Sequence, residues 1–254
     1  MRFFDLIEQL KSCFEPISVE GYKGEFGYVV NCEDEVRRVG FATNLDQITA
    51  ARAIEEEVDA LITHHDAWDF LYELRERAHS MLKSASISHC FVHLPLDAAS
   101  FGTAVSLADG LGLKIVDSFA LLEGLPCGRI GEYPSPESLQ TVASRLRRVT
   151  GDSARVWAHT PAKAKRVAVV PGAGNLNEVI KEAADMKCDT YITGETSLYS
   201  VQYARYRGIN QIVGTHTHTE FPGVERLCHR LQGSTGVEFV PIREEEFEIG
   251  TRCE

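Results

Sequence analysis

Short apolar, β-branched runs alternate with longer stretches of helical period along almost the whole chain, and that alternation leaves few folds open. RRVGFATN (37–44) reads as a strand, and DQITAARAIEEEV after it as a helix with Asp46 as candidate N-cap. DALITHH (59–65) is a strand ending on two histidines, followed by a helical stretch, AWDFLYELRERAHSMLKSA. SHCFVHLPLD then reads as a strand and FGTAVSLADGLGL as a helix. Strands joined through helices imply parallel crossovers, so the pattern predicts the α/β class.

EGLPCGRIGEYPSP (123–136) is rich in Gly and Pro and is the expected boundary between two units. After it, SPESLQTVASRLRRVTG reads as a helix with Ser135 as N-cap and Pro136 at its first position. Further strand and helix patterns run to a last strand, GVEFVPI. EEEVDALITHH is echoed by ADMKCDTYITGE, and SHCFVHLPLDAASFG by NQIVGTHTHTEFPG. The expectation is two related α/β units, each a mixed sheet flanked by helices. The first covers residues 1–125, with a C-terminal segment of about 221–254 packing back on it, and the second covers 126–220.

Lys and Arg total 26 against 37 Asp and Glu, a formal net charge of −11. That balance argues against general nucleic-acid or membrane-surface binding, which draws on clustered positive charge. Seven cysteines stand singly with no C-x-x-C pair, which points to reduced thiols and a cytoplasmic protein rather than a zinc knuckle. The N-terminal stretch lacks the apolar centre of a signal peptide, and no apolar run approaches the roughly 18 residues of a transmembrane helix.

The chemistry concentrates at strand ends, where open α/β sheets gather their ligand sites. His64 and His65 close one strand; neighbours on a regular strand face opposite ways, so both serve one site only where the strand stops. His216 and Glu220 follow another strand, with Pro222 expected in the first turn of the next helix, and Asp97 follows a third. These five form a mixed N/O set suited to zinc, iron, manganese or cobalt. The site is therefore expected at strand C-terminal ends between the units, holding two divalent ions with Asp97 or Glu220 as a bridging carboxylate. In THTH, His216 and His218 are both candidates. His93 and Glu195 are candidates to steady an imidazole or a metal-bound water from behind. His79, His89, His159 and His229 are expected to be bystanders. Gly172 and Gly174 in PGAGN suit a close-packing turn or an anion contact; the chain has no G-x-G-x-x-G and no Walker lysine, so no nucleotide cofactor site is expected.

ALITHH, HLPLDAASFGTAVSLADGLGL, VAVVPGAGNLNEVI, YITGE and GTHTHTE occur in one order along the chain. In that combination the sequence resembles the Nif-three-like family, dinuclear metal-centre hexameric proteins that carry the description GTP cyclohydrolase I type 2 homologue. The resemblance implies His64, His65, Asp97, His216 and Glu220 as metal ligands, choosing His216 over His218. It also implies a toroidal homohexamer with its metal sites facing an internal cavity. The chain departs from the family pattern at Asp66-Ala67-Trp68 after the double histidine, at Pro95, and in VEGYKGEFGYVVN near the N-terminus. These changes leave every ligand in place and alter the rim. The implied activity is metal-dependent hydrolysis of a nucleotide or phosphate-containing small molecule. The alternative is a non-catalytic metal-binding assembly or partner-interaction protein, with AWDFLYEL as a candidate interface.

Overall fold

The alternation is realised as two separate mixed sheets flanked by helices. The computed structural model describes residues 1–32, 35–245 and Glu248, so Cys253 lies outside the described residues. Two units emerge, Met1–Ala99 with Val224–Glu245, and Ser100–Gly223. The first opens with α1 (Phe3–Lys11), α2 (Pro16–Glu20), β1 (Phe26–Val29), β2 (Arg38–Asn44) and α3 (Gln47–Glu55). It continues with β3 (Ala60–His65), α4 (Leu74–Ser84), β4 (Ser88–Val92) and α5 (Leu94–Ala98). The second contains α6 (Thr103–Gly110), β5 (Lys114–Leu122), β6 (Leu125–Glu137), α7 (Leu139–Thr150), β7 (Arg155–Trp157) and β8 (Ala164–Val170). Then come α8 (Asn177–Asp185), β9 (Thr190–Thr193), α9 (Leu198–Arg207), β10 (Asn210–Val213), α10 (His216–Thr235) and β11 (Glu238–Pro241). Residues of α10 from Val224 onward, and β11, belong to the first unit.

The first sheet has the order β1-β4-β3-β2-β11, parallel except for the antiparallel edge strand β1. All six residues of β3 are buried, as expected of a central strand in such a sheet. Leu61 packs with Ala42 of β2, Ala50 and Ala53 of α3, and Ala78 and Leu82 of α4. Burying a leucine of this kind contributes about 1.5–3 kcal/mol. Asp46 caps α3 by accepting the Thr49 N–H at 2.6 Å.

The second sheet runs β5-β6-β8-β9-β10-β7, with β8, β9 and β10 parallel and the other pairings antiparallel. Alternate residues serve opposite faces. Val167, Val169 and Ile192 pack with Leu107 of α6 and with Val142 and Leu146 of α7. Ala168, Val170 and Tyr191 pack with Ile180 and Ala183 of α8 and Ala204 of α9.

The sequence echo has a structural counterpart. Asp59, just before β3, accepts the N–H groups of Arg37 and Arg38 at 2.7 and 2.9 Å. Asp189, just before β9, accepts those of Lys165 and Arg166, the latter at 2.9 Å. Each aspartate ties the start of one parallel strand to the start of its neighbour, by the same device in both units.

Three local expectations are corrected. The Gly- and Pro-rich stretch at 123–136, expected as the boundary between the units, is mostly strand β6. Its glycines admit close approach: a Cβ on Gly128 would lie 2.5 Å from the Phe119 ring. Pro134 and Pro136 fall in the irregular register between Glu132 and Glu137, where a missing N–H is tolerated. The next helix is accordingly capped by Ser138, not Ser135, accepting the Thr141 N–H at 3.0 Å. The helical reading of 67–85 survives only as α4, because Tyr72 and Glu73 have φ of 25° and 55°. Among the described residues, no helix is long and apolar enough to cross a membrane.

Candidate metal centre

In the first unit, β3 ends where its two histidines are needed. The His64 and His65 rings lie 4.4 Å apart between centroids, and each lies 5.0 Å from the ring of His93, which follows β4. One nitrogen from each of the three falls within 4.8 Å of the others. Asp97, on α5, places Oδ1 3.4 Å from His64 Nε2 and Oδ2 3.7 Å from His93 Nε2. His64 and His65 are buried.

Hydrogen bonds behind the rings select their tautomers. His64 Nδ1 lies 2.8 Å from the Val92 carbonyl, which can only accept, so Nδ1 carries the proton and the neutral ring has its lone pair at Nε2. His65 Nδ1 lies 2.8 Å from Asn44 Oδ1. The Asn44 amide is oriented in turn, because its Nδ2 donates to Glu244 Oε1 at 2.7 Å. His65 therefore also carries its lone pair at Nε2. His93 Nδ1 sits 2.5 Å from Glu25 Oε2.

In the second unit, β10 gives way to α10, which begins at His216 itself. Pro222, expected in the first turn of a later helix, lies deeper inside α10. A proline pre-set to φ near −65° fits helical backbone, and here it forgoes one bond of an early turn rather than opening the helix. His216 and Glu220 thus share one helix face at i,i+4, with Nε2 3.2 Å from Oε2. Glu195, just after β9, holds His216 Nδ1 at 2.6 Å. Burial opposes charge on His216, but the carboxylates of Glu220 and Glu195 outweigh it and push the imidazole pKa up to about 11. The hydrogen bond with His216 holds the Glu195 carboxyl below its usual range.

Gly172, in the turn after β8, has φ of 61°, and a Cβ there would stand 1.9 Å from Glu220 Oε1 and 3.0 Å from His216 Nε2. The PGAGN turn is a close-packing turn that makes room for these two side chains. His218, two residues along the helix, faces elsewhere: its Nδ1 lies 3.1 Å from Asp152 Oδ2 and 3.0 Å from Thr215 Oγ1.

The residues present fit a transition-metal centre. In each unit, imidazoles tied at Nδ1 present Nε2 beside a carboxylate, the arrangement that outer hydrogen bonds impose on metal-ligating histidines.

A family model described as Duf34/NIF3 (NGG1p interacting factor 3) matches residues 1–246. The chain belongs to the Duf34/NIF3 family. It is 32% identical over 238 residues to a protein of Pyrococcus abyssi named GTP cyclohydrolase 1 type 2 homolog, covering 90% of this chain and 93% of that one. It also matches the crystal structure of TTHA1606 from Thermus thermophilus, with a TM-score of 0.78 and 27% identity over 97% of this chain and 99% of the other. A structural-genomics structure of protein ybgI shares the fold, with a TM-score of 0.82, 23% identity, and coverage of 96% and 99%.

Sequence reasoning missed several parts of this Duf34/NIF3 site. Asn44 had a readable signal: it ends β2, and the parallel register pairs it with His65. Glu25 and Val92 act through long-range side-chain and backbone geometry that no motif advertises, whereas Gly172 was legible in PGAGN as a close-packing turn. His79 and His89, expected as bystanders, cluster with Asp66.

Proposed function

We propose that this Duf34/NIF3 protein is a dinuclear metal-dependent hydrolase-like protein acting on a nucleotide or phosphate-containing small molecule. His64, His65, Asp97, His216 and Glu220 would hold two divalent transition ions, drawn from zinc, iron, manganese and cobalt by the N/O donor set. The observation that carries this reading is the tied Nδ1 of His64, His65 and His216, which sets Nε2 as the ligating atom of each ring. When bound, the ions supply Lewis acidity and a water nucleophile near neutral pH. Glu195 and Asn44 fix imidazole orientation, and Gly172 keeps space beside Glu220. The name of the Pyrococcus relative makes GTP the first nucleotide to try.

The same reading includes a homohexamer, from the family resemblance, and a cytoplasmic setting. The six described cysteines are all unbridged, which suits a reducing compartment. A second reading, a metal-binding assembly that engages a partner without turnover, is favoured by the segment after the double histidine. There Phe70 is 67% and Tyr72 90% exposed.

The test is metal-stripped protein reloaded singly with zinc, manganese, ferrous iron and cobalt, then assayed on GTP, other nucleotides and phosphate esters. Turnover that needs metal and disappears in His216→Ala supports the hydrolase. Two ions bound with no turnover on any substrate favours the assembly. No more than one ion bound at saturation overturns the dinuclear centre.

A further inference from the structure

A second constellation of ligand-type side chains lies in the first unit, built from residues other than His64, His65, Asp97, His216 and Glu220. Asp66 follows β3, His79 lies on α4 and His89 on β4. His89 is wholly buried. Its tautomer can be worked out from its neighbour. The Thr63 hydroxyl donates its single proton to the His65 carbonyl at 2.6 Å. Toward His89 Nε2, 2.9 Å away, Thr63 Oγ1 must therefore accept. The His89 proton is consequently at Nε2, and the lone pair is at Nδ1.

That nitrogen has no hydrogen-bond partner among the described residues. It faces Asp66, whose Oδ1 is 4.0 Å away. His79 Nε2 approaches the same oxygen to 2.7 Å. A buried lone pair, a carboxylate oxygen and a second imidazole thus converge, all three atoms within 4.8 Å of one another. A tetrahedral zinc ion with ligand bonds of roughly 2.1 Å requires ligand atoms roughly 3.4 Å apart. That value lies between the two separations found here, so small side-chain rotations suffice. Burial pushes the His89 pKa down to about 3, consistent with a neutral ring.

Arg75 donates to the other oxygen of Asp66 at 2.7 Å. It orients the carboxylate and leaves Oδ1 turned to the histidines. Its side chain is 42% exposed, so solvent screens its repulsion of a cation. A cavity of about 510 Å³ lined by Tyr28, Glu76, His79, His89 and Phe91 gives the cluster a route to solvent.

We propose that Asp66 Oδ1, His79 Nε2 and His89 Nδ1 form a mononuclear site for a borderline divalent cation of the zinc class, separate from the five residues assigned above. Three protein ligands leave a fourth position toward the cavity for water or an exogenous donor. An ion there ties the segment after His64-His65 to both α4 and β4.

The experiment is zinc stoichiometry on the full chain, stripped with chelator, reloaded with zinc alone, desalted and measured by elemental analysis. His79 is part-exposed on a helix, so His79→Ala keeps the fold, checked by circular dichroism. It is expected to bind one ion per chain fewer than the unaltered protein, with His79→Cys restoring that ion through a thiolate. Cobalt loading gives a second readout, in which His79→Ala loses part of the visible ligand-field absorption. If His79→Ala and Asp66→Asn both keep the full zinc content with unchanged Kd, the site does not exist. The two metal readings fail separately. An ion lost in His79→Ala but kept in His216→Ala supports this site whatever the state of the dinuclear centre. Ions lost only in His216→Ala leave the dinuclear centre standing and remove this one.

Discussion

His216 and His218 stand two residues apart in THTH and have opposite surroundings. His216 meets two carboxylates, Glu195 and Glu220, whereas His218 is spent on Asp152 and Thr215. His216→Ala is expected to empty at least one metal position, because no other ring can replace a ligand fixed at i,i+4 to Glu220. His218→Ala is expected to keep the metal content of the unaltered protein. It should lower stability by about 1–3 kcal/mol, since the buried Asp152 carboxylate loses a donor. Elemental analysis and denaturant melts on the two variants check both halves, and metal loss in His218→Ala alone would reverse the ligand assignment. Asn44 accepts a hydrogen bond from the His65 ring, and its proposed role is to orient that ring. Asn44→Ala should weaken metal affinity about 10–100-fold while leaving far-ultraviolet circular dichroism unchanged. Isothermal titration with zinc reads the shift, and an unchanged Kd would show that Asn44 has no positioning role.

Secondary-structure elements place these side chains by where they stop. β3 ends on His64-His65, β9 runs to Thr193 two residues before Glu195, and α10 starts on His216. The paired aspartates, Asp59 and Asp189, anchor the opposite ends of the two central strands, which sets the height at which each strand delivers its last residues. In the second unit, the turn after β8 makes room for Glu220 and His216 by offering no side chain at Gly172. Gly172→Ala is expected to cost roughly 1–2 kcal/mol from the left-handed backbone alone. It also forces Glu220 to move, since the new Cβ would overlap its carboxylate. Reduced metal content together with a lowered Tm is the expected outcome. Full metal occupancy in a folded Gly172→Ala protein would show that Glu220 can serve from another position.

At the scale of the whole molecule, α9 leaves Leu198, Tyr199 and Tyr206 more than two-thirds exposed. Apolar surface of that kind suits burial in an assembly, and the net charge of −11 keeps such an assembly soluble. Light scattering at low micromolar concentration should return about six times the 28.2 kDa chain mass. A monomer that persists across concentrations would remove the hexamer from the proposal.

Fold class was legible because period-2 and period-3.6 patterns are local, and because Asp59 and Asp189 precede strands of the same type in both units. His64, His65, Asp97, His216 and Glu220 were legible as candidates because strand-end histidines and acids are uncommon in core-forming runs. What no local pattern carries is the partner of a group distant in the chain. Glycine and proline in β6 read as a unit boundary, since the close packing of Phe119 on Gly128 exists only once the strands pair. Asn44, Glu25 and Thr63 acquire roles through hydrogen bonds whose geometry the sheet register creates. The start of α10 at His216, ahead of Pro222, depends on where β10 releases the chain. Residue types and periodicity therefore determined the class of fold and the chemistry at hand. Tertiary structure decided which nitrogen of His64, His65 and His89 is a lone pair, because that depends on a proton's partner across space.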